Sequence, residues 1–441
     1  MKIEELKALL RENGIVGAGG AGFPTYAKMD LRADTLILNC AECEPLLRLH
    51  RQVLKMYTHE ILSTLDLIKK TVEAKTVYIG VKGSYKRTLE AVEAEISSFE
   101  NMQICRLPEV YPAGDEVVLT YQATGRVVPA GDIPLSVGVT VLNVETVYNI
   151  YKALEGEAVT HKYVTVTGEV NNPITVYAPI GMSVDDLLRA AGGVKTDNPA
   201  YIIGGPMMGS LGSLSDTVTK TTNAIIVLPK DMPLVQKKLS KPIVNMKRAM
   251  SACCQCSYCT SLCPRALLGH PIDPASFMYA ASNGITNDAK PYLNALYCSG
   301  CGLCQMFSCG QGLSPASLLA NCKQTLKQNG LKPEKVLKAK EVNKARELRL
   351  VPMKRLRSRL GLDKYNVSAP ITELEMEPKR VKIALQQNIG AKAVPIVKKG
   401  DKVSCGMQIA AAQSDALSVA IHASISGKVK EASDRYIIIE R

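Results

Sequence analysis

Two cysteine runs constrain this chain more than anything else in it: Cys253-x2-Cys256-x2-Cys259-x3-Cys263-Pro264 and Cys298-x2-Cys301-x2-Cys304-x4-Cys309. Three cysteines spaced three apart put their thiolates around one side of a tight loop, which suits three corners of a four-iron cubane. The fourth thiolate has to come from further along. Pro264 turns the chain away after Cys263, so that cysteine is expected to reach the other cluster, and Cys309 to do the same in return. The second run has one extra residue before its last cysteine and no proline after it. Four thiolates also suit tetrahedral zinc, which is the alternative reading. Paired three-cysteine runs with a remote fourth member favour two [4Fe–4S] clusters, three ligands of each from one run and the fourth from the other.

The other cysteines carry less. Cys254 is out of register with the ligands beside it, Cys40 and Cys43 have no partner pair, and Cys105, Cys322 and Cys405 read as buried small apolar residues. With 14 cysteines in 441 residues and an N-terminus that mixes acids and bases, MKIEELKALLRENG, the chain does not look exported. No long uncharged apolar stretch follows, so a soluble, cytoplasmic protein that does not span a membrane is expected. The formal charge of +13 comes mostly from residues 323–364, where 14 Lys/Arg face four Asp/Glu. A solvated linker or helix face explains this segment, and an acidic docking partner is the sharper reading. Zero Trp and four Phe leave few stacking platforms for bases, so nucleic acid is not expected as a partner.

Strand-like runs such as Asp34–Asn39, Thr76–Val81 and Val137–Val144 alternate with helical stretches such as 49–70 and 85–99 over residues 1–157, the pattern of an α/β layer with a parallel sheet. Residues 158–232 open with two alternating runs around Asn171-Asn172-Pro173, a hairpin signal, and fit a small β-grasp unit. Residues 245–325 hold the cysteine runs and read as an α-helical two-cluster, ferredoxin-like domain. A basic linker, 326–378, precedes an all-β module at 379–441. The fold class is therefore multidomain: α/β, β-grasp, helical cluster domain and all-β unit.

A literal GxGxxG, Gly17, Gly19 and Gly22, sits in GAGGAGFPT. It follows a helix and precedes the first strand, which is the reverse of the dinucleotide-binding arrangement. Glycines there can still let successive N–H groups close on a phosphate. Together with Asn39-Cys40-Ala41-Glu42-Cys43-Glu44-Pro45 and Asn143-Val144-Glu145-Thr146, the loop resembles the FMN-binding subunit of respiratory complex I and the RnfC protein of the Rnf electron-transport complex. That resemblance implies FMN phosphate near Gly17, Gly19, Gly20 and Gly22, with Lys28 as a nearby cation and Asn143 beside the flavin. It implies Glu42 and Glu44 near flavin and nicotinamide as the catalytic acids.

Residues 158–232 likewise resemble the soluble-ligand-binding β-grasp domain of that family. Ala393–Val397, Gly400–Val403 and His422–Gly427 resemble a barrel-sandwich hybrid, which stands first in RnfC and last here. The order resembles the cobalamin reductases of propanediol-utilisation microcompartments. Where lipoyl and biotinyl hairpins present a lysine, the turn here reads Gln413-Ser414-Asp415-Ala416, which argues against lipoylation. The resemblance implies an NADH-dependent oxidoreductase passing electrons through FMN and two [4Fe–4S] clusters to cobalamin. The alternative is an electron-transfer subunit serving a partner redox protein. It also makes a microcompartment, and a shell protein of one, a candidate location and partner.

Overall fold

The strands of the first unit are continuous apolar runs, TLILNC and VTVLN among them, and such runs need cover on both faces. The computed structural model, which describes residues 1–441 except 337, 338, 340, 375 and 376, supplies that cover. Four strands, Met102–Leu107, Thr76–Lys82, Thr35–Cys40 and Val139–Asn143, lie side by side in that order, all parallel, with Thr35 paired to Thr76 and to Val139. Leu36, Leu38 and Cys40 face the helices Leu49–Met56, Thr58–Thr71 and Val144–Leu154, while Ile37, Val139 and Val141 face Leu119 of the helix Glu116–Thr124. Full burial of each Leu, Ile or Val stabilises by about 1.5–3 kcal/mol. The expected helix over 49–70 is two helices, because Tyr57 leaves the helical region at φ −124° and stacks on Tyr148 at 4.2 Å between ring centroids.

Strand order matters for function. The chain steps outward from Thr35–Cys40 to its second and third strands, then returns to lay Val139–Asn143 on the other side of the first. Beyond the carboxyl ends of these two adjacent strands lies the crevice where open α/β sheets bind ligands.

The next unit is a six-stranded sheet in which His161–Gly168 and Ala224–Pro229 run parallel at the centre. The expected hairpin is present, with Val166 paired to Ile174 across the Asn171–Pro173 turn. Helix Val184–Ala190 covers one face through Val184, Leu187 and Leu188. The cluster region is helical, built on a small core of Ala249, Phe277, Met278, Leu313, Leu318 and Leu319. Residues 380–441 form two antiparallel sheets of four and three strands around Val381, Ile383, Ile409, Val429 and Ile439. No helix among the described residues is long and apolar enough to cross a membrane.

The segment expected as a solvated basic linker is built into the fold. Val351–Pro352 pairs with Val110–Tyr111 of the first unit, helix Met353–Arg359 follows, and Ile371–Thr372 adds an edge strand to the six-stranded sheet. Val351, Met353, Leu356, Leu360, Leu362 and Tyr365 are buried, so this is a strap with an apolar underside: Lys354, Arg355 and Arg359 are exposed, whereas Arg346 is buried over the Tyr121 ring. The minor cysteines also need correction. Cys105, on the edge strand of the parallel sheet, and Cys322, on the helix Pro315–Gln328, are only part-buried, and Cys405, in the turn between strands Lys402–Val403 and Gln408–Ala411, is exposed.

Candidate redox site

The glycine loop is held at its base and open at its tip. Gly17 N donates to Phe23 O at 2.9 Å, and Ala18 N donates to Thr146 Oγ1 at 2.9 Å. A Cβ on Gly19 would stand 2.4 Å from Asn143 Nδ2, so the loop lies directly against the residue that ends the last parallel strand. Nothing comes within 4 Å of a Cβ on Gly20. Gly22, at φ +72°, leans on the C-terminal unit, and its carbonyl accepts Ile389 N at 3.2 Å. Asn143 is also the N-cap of helix Val144–Leu154, its Oδ1 accepting Glu145 N at 2.9 Å. Bare backbone N–H groups at an exposed tip, beside a helix amino end, fit a phosphate. Lys28 is committed elsewhere: its ammonium donates to Glu116 Oε1 at 2.6 Å and to the Val141 carbonyl at 3.0 Å.

Both acids of the second motif have holding roles. Glu42, buried and at φ +38°, accepts His50 N at 2.8 Å, Arg51 N at 3.4 Å and Arg51 Nε at 2.7 Å, capping helix Leu49–Met56 from outside it. Burial works to raise its pKa, but the Arg51 guanidinium and the His50 N–H outweigh this and hold it below the usual carboxylate value. Glu44 accepts the N–H groups of Met207 and Met208, each at 2.8 Å. A Cβ on Gly205 would run into the Glu44 carboxyl group, so the absence of a side chain at 205 lets this loop of the six-stranded unit close on the acid. Burial raises the Glu44 pKa, opposed by the Met207 and Met208 N–H groups and then by Lys238. The two acids share a cleft of about 240 Å³ with Arg48, Arg51, Lys82 and, from the strap, Arg357.

The two cysteine loops have one backbone plan. Cys253 ends helix Pro242–Ala252 and Cys298 ends the 3-10 turn Asn294–Tyr297. Two and four residues beyond each, the backbone is left-handed: Gln255 at φ 54° and Ser257 at φ 61°, then Gly300 at φ 76° and Gly302 at φ 75°. Around its third cysteine the first loop makes an α turn, Tyr258–Ser261, whereas the second makes a π turn, Cys304–Ser308. The extra residue before Cys309 is thus taken up as a wider helical turn. The Cys263 thiol lies within electrostatic range of Cys298, Cys301 and Cys304, and Cys259 within range of Cys253 and Cys256. Cys309 packs on the same small core as Cys253.

The donor chemistry fits an iron–sulfur cluster. Burial pushes the thiols of Cys259 and Cys301 up to about 12 and that of Cys263 to about 11, so a cationic metal core is what would hold these sulfurs as thiolates. Among the described residues no three Cys, His, Asp or Glu side chains gather closely enough to hold a single metal ion. A cubane spreads its four thiolates over four irons, so the spacing it asks for is wider.

Several contacts that the sequence does not announce join these parts. Tyr111 Oη donates to the Cys301 carbonyl at 2.6 Å, and a Cβ on Gly302 would lie 3.4 Å from the Met207 carbonyl, next to the amides that hold Glu44. Arg265, two residues after Cys263, pairs with Asp115 of the flavin unit at 2.9 Å. His50 lies 3.3 Å from Asn143 Nδ2 and 3.9 Å from the buried Glu145, which is itself paired with Lys162 of the six-stranded sheet. A lone histidine or tyrosine carries no spacing signal, so none of these could be read in advance.

Comparison with known proteins agrees with this anatomy. Residues 10–152 match the Nuo51 FMN-binding domain, 163–210 the SLBB domain, 252–314 a 4Fe-4S dicluster domain and 363–440 the RnfC barrel sandwich hybrid domain. Cobalamin reductase PduS of Citrobacter freundii is 38% identical over 99% of this chain and 97% of that protein, and that of Salmonella typhimurium is 38% identical over 100% and 97%. The matching component of the Na(+)-translocating ferredoxin:NAD(+) oxidoreductase complex of Acetobacterium woodii is 32% identical over 60% of this chain and 58% of that component. Among solved structures, an NAD+-reducing [NiFe]-hydrogenase in the H2-reduced state aligns with TM-score 0.49 and 19% identity over 76% of this chain and 64% of that one, too remote to weigh. Matched from end to end at this identity, and carrying FMN-binding, 4Fe-4S dicluster and barrel-sandwich hybrid domains, the chain is a multidomain redox enzyme and belongs to the cobalamin reductase PduS family.

Proposed function

We propose that this chain takes electrons from NADH and delivers them to cobalamin, using noncovalent FMN and two [4Fe–4S] clusters. Residues 1–157 would take the nucleotide and flavin, 158–232 form the β-grasp, 245–325 hold the clusters, 326–378 strap the units together and 379–441 form the hybrid. Bound FMN supplies the conversion of a hydride pair into single electrons, which iron–sulfur centres carry one at a time.

The chain's own residues bind and orient. N–H groups of Gly19, Gly20 and Gly22 receive the phosphate, Gly17 closes the base of the loop near it through its bond to Phe23, and Asn143 fixes the inner wall. Glu42 and Arg51 hold the helix that floors the cleft, and Glu44 fastens the β-grasp loop over the second cysteine loop. Lys28 steadies the turn after the glycines through Glu116. Cys253, Cys256 and Cys259 take Cys309 as fourth ligand, and Cys298, Cys301 and Cys304 take Cys263. A cytoplasmic location, with packaging in a microcompartment and contact with its shell, is compatible with this reading.

The observation that carries it is the direct join between the flavin unit and the second cysteine loop, Tyr111 to Cys301, which sets the two sites in series. Anaerobic holoprotein with NADH is expected to reduce cobalamin. Cys301→Ala should slow this at least about tenfold while leaving NADH oxidation by a two-electron dye within about twofold of wild type. Wild-type protein that oxidises NADH rapidly yet leaves cobalamin untouched would overturn the choice of acceptor.

A further inference from the structure

We infer that the outer face of helix Pro242–Ala252, continuing into the loop of Cys254–Tyr258, is the docking site of an acidic one-electron carrier protein. This rests on the electron-transfer reading above but not on cobalamin as acceptor.

The two cysteine loops differ in where they face. The second is covered: Tyr111 bonds to Cys301, the Met207 loop lies over Gly302, and Arg265 ties the helix after Cys263 to Asp115. The first is open. Cys254 and Cys256 are exposed, as are Gln255, Ser257 and Tyr258. A site held by the first loop is therefore the more open to a partner, while the second loop, exposed at Gly300, is packed on one side by the flavin and β-grasp units.

The helix leading to that loop is built to be covered on two sides and is covered on one. Asn245 and Ala249 are buried and Met246 packs on the small core. On the opposite face Ile243, Lys247 and Met250 follow at i, i+4 and i+7, with Ile243 and Met250 both 62% exposed and Tyr258 60% exposed beyond them. Exposed large apolar side chains grouped beside a redox loop mark an interaction surface rather than the scattered ones of an ordinary surface. Its charge names the partner. Between Asp231 and Asp273 the chain has no acidic residue, and of its six Lys/Arg three, Lys241, Lys247 and Arg248, are exposed on this helix and its start, beside the apolar stripe. A basic rim around an apolar centre steers and orients an acidic partner.

The test uses anaerobic holoprotein and, as probe, an acidic plant-type [2Fe–2S] ferredoxin, with basic cytochrome c as control. Binding is measured by biolayer interferometry at ionic strengths of about 10 mM and about 150 mM. Wild-type protein should bind ferredoxin at low salt, at least about tenfold more weakly at the higher salt, and cytochrome c far less well. Lys247→Glu/Arg248→Glu should weaken ferredoxin binding at least about tenfold at low salt, and Met250→Glu should do so by removing the apolar contact, with unchanged visible absorbance showing that both variants keep their clusters. Ferredoxin binding by the variants equal to wild type, equal binding of cytochrome c, or loss of cobalamin turnover in the variants without loss of ferredoxin binding would each overturn the proposal. Failure of wild-type protein to reduce cobalamin, with ferredoxin binding as described, sinks the acceptor assigned above and supports this face.

Discussion

Lys162→Met measures how firmly the flavin unit is held to the six-stranded sheet. Lys162 and Glu145 form an ion pair with side chains 1% and 0% exposed. Glu145 stands in the first turn of the helix that Asn143 caps, and Lys162 lies on the strand His161–Gly168, so the pair bridges the two units behind the flavin crevice. The Lys162 ammonium also donates to Asn223 Oδ1 at 2.8 Å and to the Tyr163 carbonyl at 3.2 Å. Without it, Glu145 keeps the Tyr163 N–H at 2.9 Å and faces the His50 ring at 3.9 Å. Removing one partner of a buried pair costs about 3–5 kcal/mol, whereas replacing both by apolar groups is close to neutral. Lys162→Met is expected to lose about 4 kcal/mol at about pH 8, and Lys162→Met/Glu145→Leu to regain at least about 2 kcal/mol of that.

His50 adds a pH signature to the same variant. Burial above all, then Lys162 and Arg51, brings its pKa down to about 4, with Glu42 opposing. Taking Lys162 away lets His50 bind a proton at higher pH, and the imidazolium replaces part of the missing charge, so the deficit should shrink as pH falls from about 7 to about 5. Urea unfolding reports the global effect, and hydrogen exchange at the Tyr163 amide, which bonds to Glu145, reports local opening. A deficit below about 1 kcal/mol, or a double variant as unstable as the single, would refute the reasoning.

Three further outcomes are expected. Anaerobically prepared protein should contain about eight iron and about eight acid-labile sulfides per chain, and stoichiometric zinc without sulfide would count against the cluster assignment. Gly20→Glu should lose flavin while its unfolding free energy stays within about 0.5 kcal/mol of wild type, because nothing lies within 4 Å of the new Cβ. Gly19→Ala should lose flavin and also about 1 kcal/mol of stability, since its Cβ displaces Asn143 from its cap; flavin retained in both variants would move the site elsewhere. Finally, burial holds His50, His161 and His422 down at about 4, so the unfolded chain binds their protons first. Stability they contribute is full above about pH 6.5 and is lost as pH falls toward about 4; a urea midpoint that stays flat across that window would contradict it.

What could be read in advance follows from how local each signal is. The cysteine runs, the glycine loop and the Asn143 motif announce themselves because cluster and phosphate binding impose fixed spacings on neighbouring residues. Residues 323–364 mislead for the opposite reason: their cations dominate the composition, while the apolar underside, Val351, Leu356, Leu360 and Leu362, is visible only once the flavin unit offers it a surface. Glu42 and Glu44 stand out by motif, but their use does not. A cap on Arg51's helix and a clamp on the Met207 loop depend on partners 9 and more than 160 residues away. Arg265 with Asp115, and Tyr111 with Cys301, are invisible for the same reason, since each pair spans 150 residues or more.

The two cysteine loops show most directly how spacing and backbone constrain each other. Each needs left-handed residues two and four places after its first cysteine, and the second loop uses Gly300 and Gly302, for which that conformation carries no Cβ penalty. The first uses Gln255 and Ser257, which each hold a conformation costing on the order of 1–2 kcal/mol for residues with a side chain. Strain of that kind persists only where the surroundings over-determine it. The same two loops solve their exits differently. Three residues between Cys259 and Cys263 fit an α turn, and four between Cys304 and Cys309 fit a π turn, so both chains leave at an extended cysteine, φ −70° and φ −77°. The extra residue is therefore absorbed without breaking the plan that the two loops share. It changes the pitch of one turn and leaves the backbone at the fourth cysteine extended in both loops.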